Sequence, residues 1–287
     1  MWTIVAFLSV LSYAPAQAGQ LESNKGQLEL KNSRFTYGFL GQERKDSIFL
    51  PGDMVVLAFD IEGLKVKEDG MVRYSMGTKL FSHQKKKNVF EKDPQQMEAV
   101  NSLGGSQQPV YAWLNILPDM EPGDYTIRVD VKDLLGNSAE VKLERKFTVK
   151  KMEFGIVRPG LVYLPLGEEQ SGASTTLAPP LVVPGQNLML HFTTVGFTEA
   201  GEKNEPNISV QVVIQDETGK PVLAKPITGK ATKYADEQYR TGKFIPFHVP
   251  IQANRSGKFK ILIRAKDENA GKTATFPTLD LTVMDIK

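Results

Sequence analysis

Two stretches of this chain carry the same strict alternation, and that alternation limits the fold more than anything else in the sequence. In Gly123 to Asn137, the apolar residues Tyr125, Ile127, Val129 and Val131 alternate with Thr126, Arg128, Asp130 and Lys132. A period of two marks a strand with one dry and one wet face. Asp133 to Asn137 then supplies turn chemistry, and a second alternating run (Ala139, Val141, Leu143, Phe147, Val149) completes a β-hairpin. The pattern returns at Gly257 to Asp267.

The repeat extends over most of two units. Pro51-Gly52, Phe59 and Gly63 stand 133 residues before Pro184-Gly185, Phe192 and Gly196. Gly123, Tyr125, Asp133 and Val149 stand 134 residues before Gly257, Phe259, Asp267 and Val283. Each copy is long enough to own a core, which separates it from the shorter units of a solenoid. The chain has 287 residues, enough for two domains of roughly 100–150 residues each.

Between these anchors, strands are expected at Arg34–Phe39, Met54–Ile61, Met71–Phe81 and Val110–Ile116. The run Met54 to Phe59 reads as buried on both faces. Pro94 to Gln108 reads as a short helical turn followed by a loop. Ser209 to Gln215 reads as a strand that turns at Asp216–Lys220 and returns at Pro221–Leu223. Gly167 to Pro180, rich in Gly, Ser, Thr and Pro, reads as a mobile, solvated loop. The charged link Lys150–Glu153 is short, so the domains should sit end to end with limited hinge freedom.

Short strands, Pro-Gly turns and no long helical periodicity point to antiparallel β-sandwiches. Pro122-Gly123-Asp124-Tyr125 and the alternation through Asn137 resemble the last hairpin of bacterial immunoglobulin-like and fibronectin-III-like domains. Leu50-Pro51-Gly52-Asp53 and its following strand are similar to the second strand of that group. The resemblance covers about a third of each repeat and implies an all-β fold of two tandem immunoglobulin-like β-sandwiches. It also places Tyr125 where such folds carry a tyrosine corner, with Phe259 in its place in the second copy. The whole layout further resembles uncharacterised exported two-domain proteins of planctomycete-type bacteria, which brings no activity with it.

The expected division is a signal peptide at 1–18, a flexible leader at 19–33, and sandwiches at 34–150 and 151–287. Trp2 to Leu11 is mostly apolar and Ala16-Gln17-Ala18 has the form of a cleavage site, although no Lys or Arg precedes the run. The apolar run is shorter than the about 20 residues a spanning helix needs, and no second one follows. An extracytoplasmic protein without a membrane span after signal removal is therefore expected. The chain contains no cysteine, which excludes disulfides, thiolate nucleophiles and cysteine metal sites. Its 35 basic and 33 acidic residues leave no electrostatic footprint for nucleic acid.

No catalytic or cofactor-binding group assembles from sequence. The Gly-x-Ser-x-Gly elbow is missing; of the three histidines, His83 lies in a polar loop and the strand pair His191 and His248 lacks a third metal partner at useful spacing. His191 and His248 belong to one copy, where they can face one sheet together. Asp60, Glu62, Asp130 and Asp133 form an acidic set that would suit calcium at one pole of the first sandwich. Only Asp133 has an acidic counterpart, Asp267, which suits a turn cap better. The candidate binding loop is Gln95–Gln108, with Met97, Val100, Asn101 and Leu103, joined by the basic run Lys85, Lys86 and Lys87. The bland alternative is that Met97 and Leu103 plug the core and the lysines are a solvated tip.

The expected function is that of a non-catalytic exported protein acting in binding, spacing or cell-surface interaction, its partner an envelope protein or a glycan. Carbohydrate binding ranks lower because Trp113, the one tryptophan left after signal removal, lies inside an apolar strand. A calcium-dependent adhesion role ranks below that.

Overall fold

The structure is a computed structural model and describes residues 27–136, 140–164 and 176–285. The expected signal peptide at 1–18 lies outside the described residues. Two all-β sandwiches follow one another along the chain.

The first sandwich is built from β1 (Glu29–Phe35), β2 (Ile48–Phe49), β3 (Met54–Glu62), β4 (Met71–Ser82), β5 (Lys87–Val100), β6 (Gln108–Asn115), β7 (Gly123–Asp133) and β8 (Glu140–Val149). Strands β1-β3-β6 form one sheet and β2-β8-β7-β4-β5 the other. The second comprises β9 (Gly155–Leu164), β10 (Thr176–Ala178), β11 (Leu181–Val182), β12 (Asn187–Val195), β13 (Ile208–Asp216), β14 (Ile227–Ala231), a short helix α1 (Glu237–Gly242), β15 (Phe244–Gln252), β16 (Gly257–Asp267) and β17 (Lys272–Val283). Its sheets run β10-β9-β12-β15 and β11-β17-β16-β13-β14. All pairings are antiparallel except β2 with β8 and β11 with β17. In both copies the opening segment divides between the two sheets, as β1/β2 and β9/β11. The remaining strands fall in the same order, so the topology is one immunoglobulin-like plan used twice.

Alternation produces the two cores. Tyr125, Ile127, Val129 and Val131 of β7 are buried, and so are Phe259, Ile261, Ile263 and Ala265 of β16. Val55 to Phe59 is buried on both faces, as its unbroken apolar run requires. The turns after β7 and β16 are tied alike. Asp133 Oδ1 accepts from the N–H groups of Leu135 and Gly136, and Asp133 Oδ2 from that of Lys65. Asp267 does the same for Asn269, Ala270 and Thr198. One buried carboxylate thus fixes its own turn and the loop after β3 or β12.

The tyrosine corner is present in the first sandwich: Tyr125 Oη donates to Glu121 O at 2.7 Å. In the second, Arg255 holds the place of Glu121 and lies 5.1 Å from the Phe259 ring centroid. A cation over an aromatic face replaces the missing hydroxyl bond.

Several elements differ from expectation. The opening strand begins at Glu29, inside the segment read as leader, because Leu30 and its neighbours pair with the end of β3. It ends at Phe35, short of Phe39, where Gly38 adopts φ +77. Pro94 to Val100 is strand, with Pro94 accommodated at a register shift against Gly77, whose missing side chain leaves room for the ring. The β13 return starts at Ile227; Pro221 makes only an isolated bridge, since Asp216 caps the N–H groups of Thr218 and Lys220 in a wider turn. Thr176–Ala178, placed in a solvated loop by composition, adds to the β9 edge, and residues 165–175 lie outside the described set.

Candidate functional site

The residues singled out as a binding loop do not come together. Lys85 and Lys86 sit in the turn before β5, and Lys87 opens that strand. Asn101 and Leu103 lie beyond its other end, and a 14-residue strand at about 3.3 Å per residue separates the two groups. Met97 packs against the first core. Val100 is exposed, and Leu103 is completely so, which removes it as a core plug. Asn101 folds the loop on itself by donating to Gly105 O.

The acidic set is divided too. Asp60 and Glu62, on β3, take Asn32 and Lys31, while Asp130 faces Lys142 across the opposite sheet. Asp133 is committed to its turn. Among the described residues no three His, Cys, Asp or Glu are placed to share a metal ion. His191 and His248 are cross-strand partners. Burial, then the neighbouring His248, lowers the pKa of His191, whose ring lies over the bare backbone of Gly160. A shallow cleft of about 340 Å³ lies beside His83, Asp124 and Thr148. There His83 Nε2 meets Thr126 Oγ1 at 2.8 Å, but Thr126 is buried and Asp124 accepts from Thr148, so no relay of nucleophile, base and acid forms.

The most elaborate constellation was missed from sequence: the segment Thr36–Ser47 between β1 and β2. It closes on itself through Tyr37 N–H to Gln42 O and Arg44 N–H to Phe35 O. Gly41 is obligatory at its tip, since a Cβ there would meet Tyr37 O at 1.7 Å. From this compact loop four side chains reach outward. Tyr37 enters the core of the second sandwich and packs edge-on against Phe276 at 4.9 Å. Burial pushes its hydroxyl pKa up, partly offset by Arg44. Phe39 turns back onto Tyr111 and Trp113 of β6, 5.8 Å from each.

Gln42 behaves like a strand backbone. Its Nε2 donates to Thr278 O and its Oε1 accepts from Asp280 N–H, at 2.7 and 2.6 Å. It docks where β17 bulges away from β16. The Arg44 side chain is only 8% exposed; it pairs with Asp53 at 2.8 Å, donates to Ile48 O, and stacks on Tyr37 and Phe49. Asp53 also receives the Arg158 N–H from the second sandwich, while Arg158 Nε donates to Gly52 O. Gly196 and Gly155 let the connecting chain pass close: side chains there would strike Glu153 O and Leu50. This strap joins the two sandwiches by apolar packing and hydrogen bonds, with the Arg44–Asp53 ion pair holding its base.

Trp113 also corrects the sequence reading. Val110, Ala112 and Leu114 of β6 point inward, so Tyr111 and Trp113 face outward, and Trp113 is 47% exposed. At the opposite pole of the second sandwich, Tyr234 donates to Glu199 at 2.6 Å, and Arg240 pairs with Glu205 while lying over the Tyr234 ring. Burial, then Glu199, raises the Tyr234 pKa strongly. Each charge there has its partner, so the group acts as a clamp around α1.

No family model matches the chain, and no curated protein matches it. Among solved structures it is similar to dimeric latent PorU from Porphyromonas gingivalis, with 10% identity over 95% of this chain and 22% of that one, and a TM-score of 0.40. The chain therefore spans about a fifth of that protein's length. It is also similar to the C-terminal domain of the Streptococcus agalactiae AgI/II polypeptide BspA (8% identity, 88% of this chain, 99% of that one, TM-score 0.27). A third match is the C-terminal domain of the Streptococcus pyogenes antigen I/II-family protein AspA (10% identity, 89% and 99% covered, TM-score 0.28). With overlaps this loose, the fold description rests on strand order alone.

Proposed function

We propose that this is a non-catalytic, extracytoplasmic bacterial protein whose two immunoglobulin-like domains, 34–150 and 151–287 in the sequence division, act as one rigid binding and spacing unit. The strap carries this reading. Tyr37 buried in the neighbouring core, Gln42 on the β17 backbone and the Arg44–Asp53–Arg158 joint would be wasted on a flexible tether. The apolar start of the chain and its Ala16-Gln17-Ala18 segment support export, and the cysteine-free composition fits a bacterial route. Among the described residues no helix is long and apolar enough to cross a membrane.

Trp113 favours carbohydrate binding as a second reading, since an exposed aromatic face is what a sugar ring stacks on. It ranks lower because Phe39 stands at 86° to Trp113 and 85° to Tyr111, so the three rings form no common plane.

Immobilised chain exposed to an envelope extract and to a glycan panel separates the two. A retained envelope protein supports the first reading. A retained glycan, lost on Trp113→Ala, supports the second. Turnover of a glycosidase or esterase substrate by the purified chain contradicts both.

A further inference from the structure

The two sandwiches expose the same edge strand, but only one of them leaves it open. In antiparallel pairing, alternate residues turn their N–H and C=O groups toward opposite neighbours. Thr36 N–H bonds Val56 O, so Val56 and Ala58 address β1, while Val55 and Leu57 address β6. Their partners Leu114 and Ala112 are thereby satisfied, and the groups of Tyr111, Trp113 and Asn115 point to the free side of β6. The sheet order confirms that β6 is terminal.

The counterpart strand β15 is also terminal. Register equates Pro109 with Pro246, Tyr111 with His248 and Trp113 with Pro250. Each pair faces the same second-strand position, such as Val56 and Met189 for Trp113 and Pro250. Proline has no N–H and blocks strand addition, one of the ways natural sheets protect an edge. Thus β15 lacks two donors of its free row, at Pro246 and Pro250, and β6 lacks one, at Pro109. No residue from Gln108 to Asn115 carries a charge, whereas the terminal strand β5 of the opposite sheet bears Lys87, Glu91, Lys92, Asp93 and Glu98.

The space beside β6 has a floor. The β1-β3-β6 sheet has three strands and the sheet beneath it five, with β5 outermost. Cross-strand partners share a face. Phe90 opposite Leu80, Lys92 opposite Thr78 and Met97 opposite Tyr74 therefore all face inward, toward the space beside β6. Phe90 is left 43% exposed. Lys92 has no ion-pair partner among the described residues, unlike Lys79 and Arg73 on the outward face, which hold Glu91 and Glu98.

We propose that the open edge of β6 takes an extended segment of a partner protein as a fourth strand, apolar at alternate positions and carrying an acidic residue opposite Lys92. The open donors and acceptors of Tyr111, Trp113 and Asn115 fit an extended backbone, the inward face of β5 sets the apolar alternation, and Lys92 sets the charge. A second copy of this chain does not fit. Antiparallel β6–β6 pairing about a two-fold axis would drive each β5 into the space beneath the other copy's β6. This site names the partner class for the proposed binding role and rests on that reading.

The test is selection of random decapeptides on the full chain, followed by affinity measurement of the winners against two variants. Trp113→Pro copies the second sandwich and removes one edge donor; Trp113→Thr keeps the donor and removes the ring. The expected peptides alternate apolar residues around an Asp or Glu and protect the Tyr111, Trp113 and Asn115 amides from hydrogen exchange. They should bind Trp113→Pro at least about tenfold more weakly and Trp113→Thr within about threefold of the parent. Lys92→Glu should reverse the acidic preference. Peptides whose affinity ignores Trp113→Pro, or the absence of any enriched peptide while both variants melt like the parent, would overturn the site. A glycan captured in its place would do so as well. None of these results touches the rigid two-domain reading, which fails only if the sandwiches move independently.

Discussion

The first and second sandwiches share what a fold needs and differ in what a surface needs. Shared are the strand order, the alternating core of β7 and β16, and the buried Asp133 and Asp267 caps. Among the described residues the differences are the strap, seen before β2 only; the edge residue, Trp113 against Pro250; the corner, Tyr125 against Phe259; and the pole, an open Asn101–Gln107 loop against the Tyr234–Arg240 clamp. Duplication preserves groups that satisfy buried backbone, because their loss leaves unpaired N–H and C=O groups. Positions whose only duty is toward a neighbour are free to diverge, so divergence between the copies locates interaction surfaces.

The strap offers the largest break in that comparison. Arg44→Ala leaves the buried Asp53 carboxylate with only the Met54 and Arg158 backbone N–H groups, and should cost about 3–5 kcal/mol. Calorimetry should then resolve two transitions where the parent shows one. The caps come next: Asp133→Ala and Asp267→Ala each strand three N–H groups and should each cost about 2–3 kcal/mol by chemical denaturation. Unequal losses would show that the two caps are not equivalent. Tyr125→Phe should cost about 1 kcal/mol through the lost bond to Glu121 O. Arg255→Ala should cost about 0.5–1 kcal/mol through the lost contact with Phe259.

The smallest effects are those of pH. Burial raises the pKa values of Tyr37, Tyr74 and Tyr234, so the stability they contribute is complete below about pH 10 and falls as pH rises through their folded values. Tyr37→Phe should reduce that alkaline loss while leaving neutral stability nearly unchanged. His191 moves the other way. Its lowered pKa gives stability present above about pH 6.5 and lost as pH falls through the folded value, and His191→Gln should flatten that acid limb.

Alternation and turn residues made the plan legible. Gly123–Asp133 announced both the hairpin and its repeat, and the spacing of Asp133 and Asp267 announced the caps. The strap was not legible, because its contacts join residues far apart in sequence: Gln42 to Thr278, Tyr37 to Phe276, Asp53 to Arg158. Gly38 and Gly41 were its only local trace, within a stretch that read as strand and loop. Trp113 sits in an apolar run that reads as buried throughout, but its phase relative to Val110 and Leu114 puts it outside. The Met97–Leu103 and Lys85–Lys87 groups looked like one site because they are near in sequence. A long strand holds them apart.

The claim beneath all of this is that the strap fixes the two sandwiches as one body. The chain has no cysteine, so Lys146→Cys and Lys260→Cys, on exposed faces of β8 and β16, can be spin-labelled without side reactions. Their distance distribution, measured by double electron–electron resonance, is expected to be a single narrow peak that broadens in Arg44→Ala. A broad or two-peaked distribution in the parent chain would contradict the account.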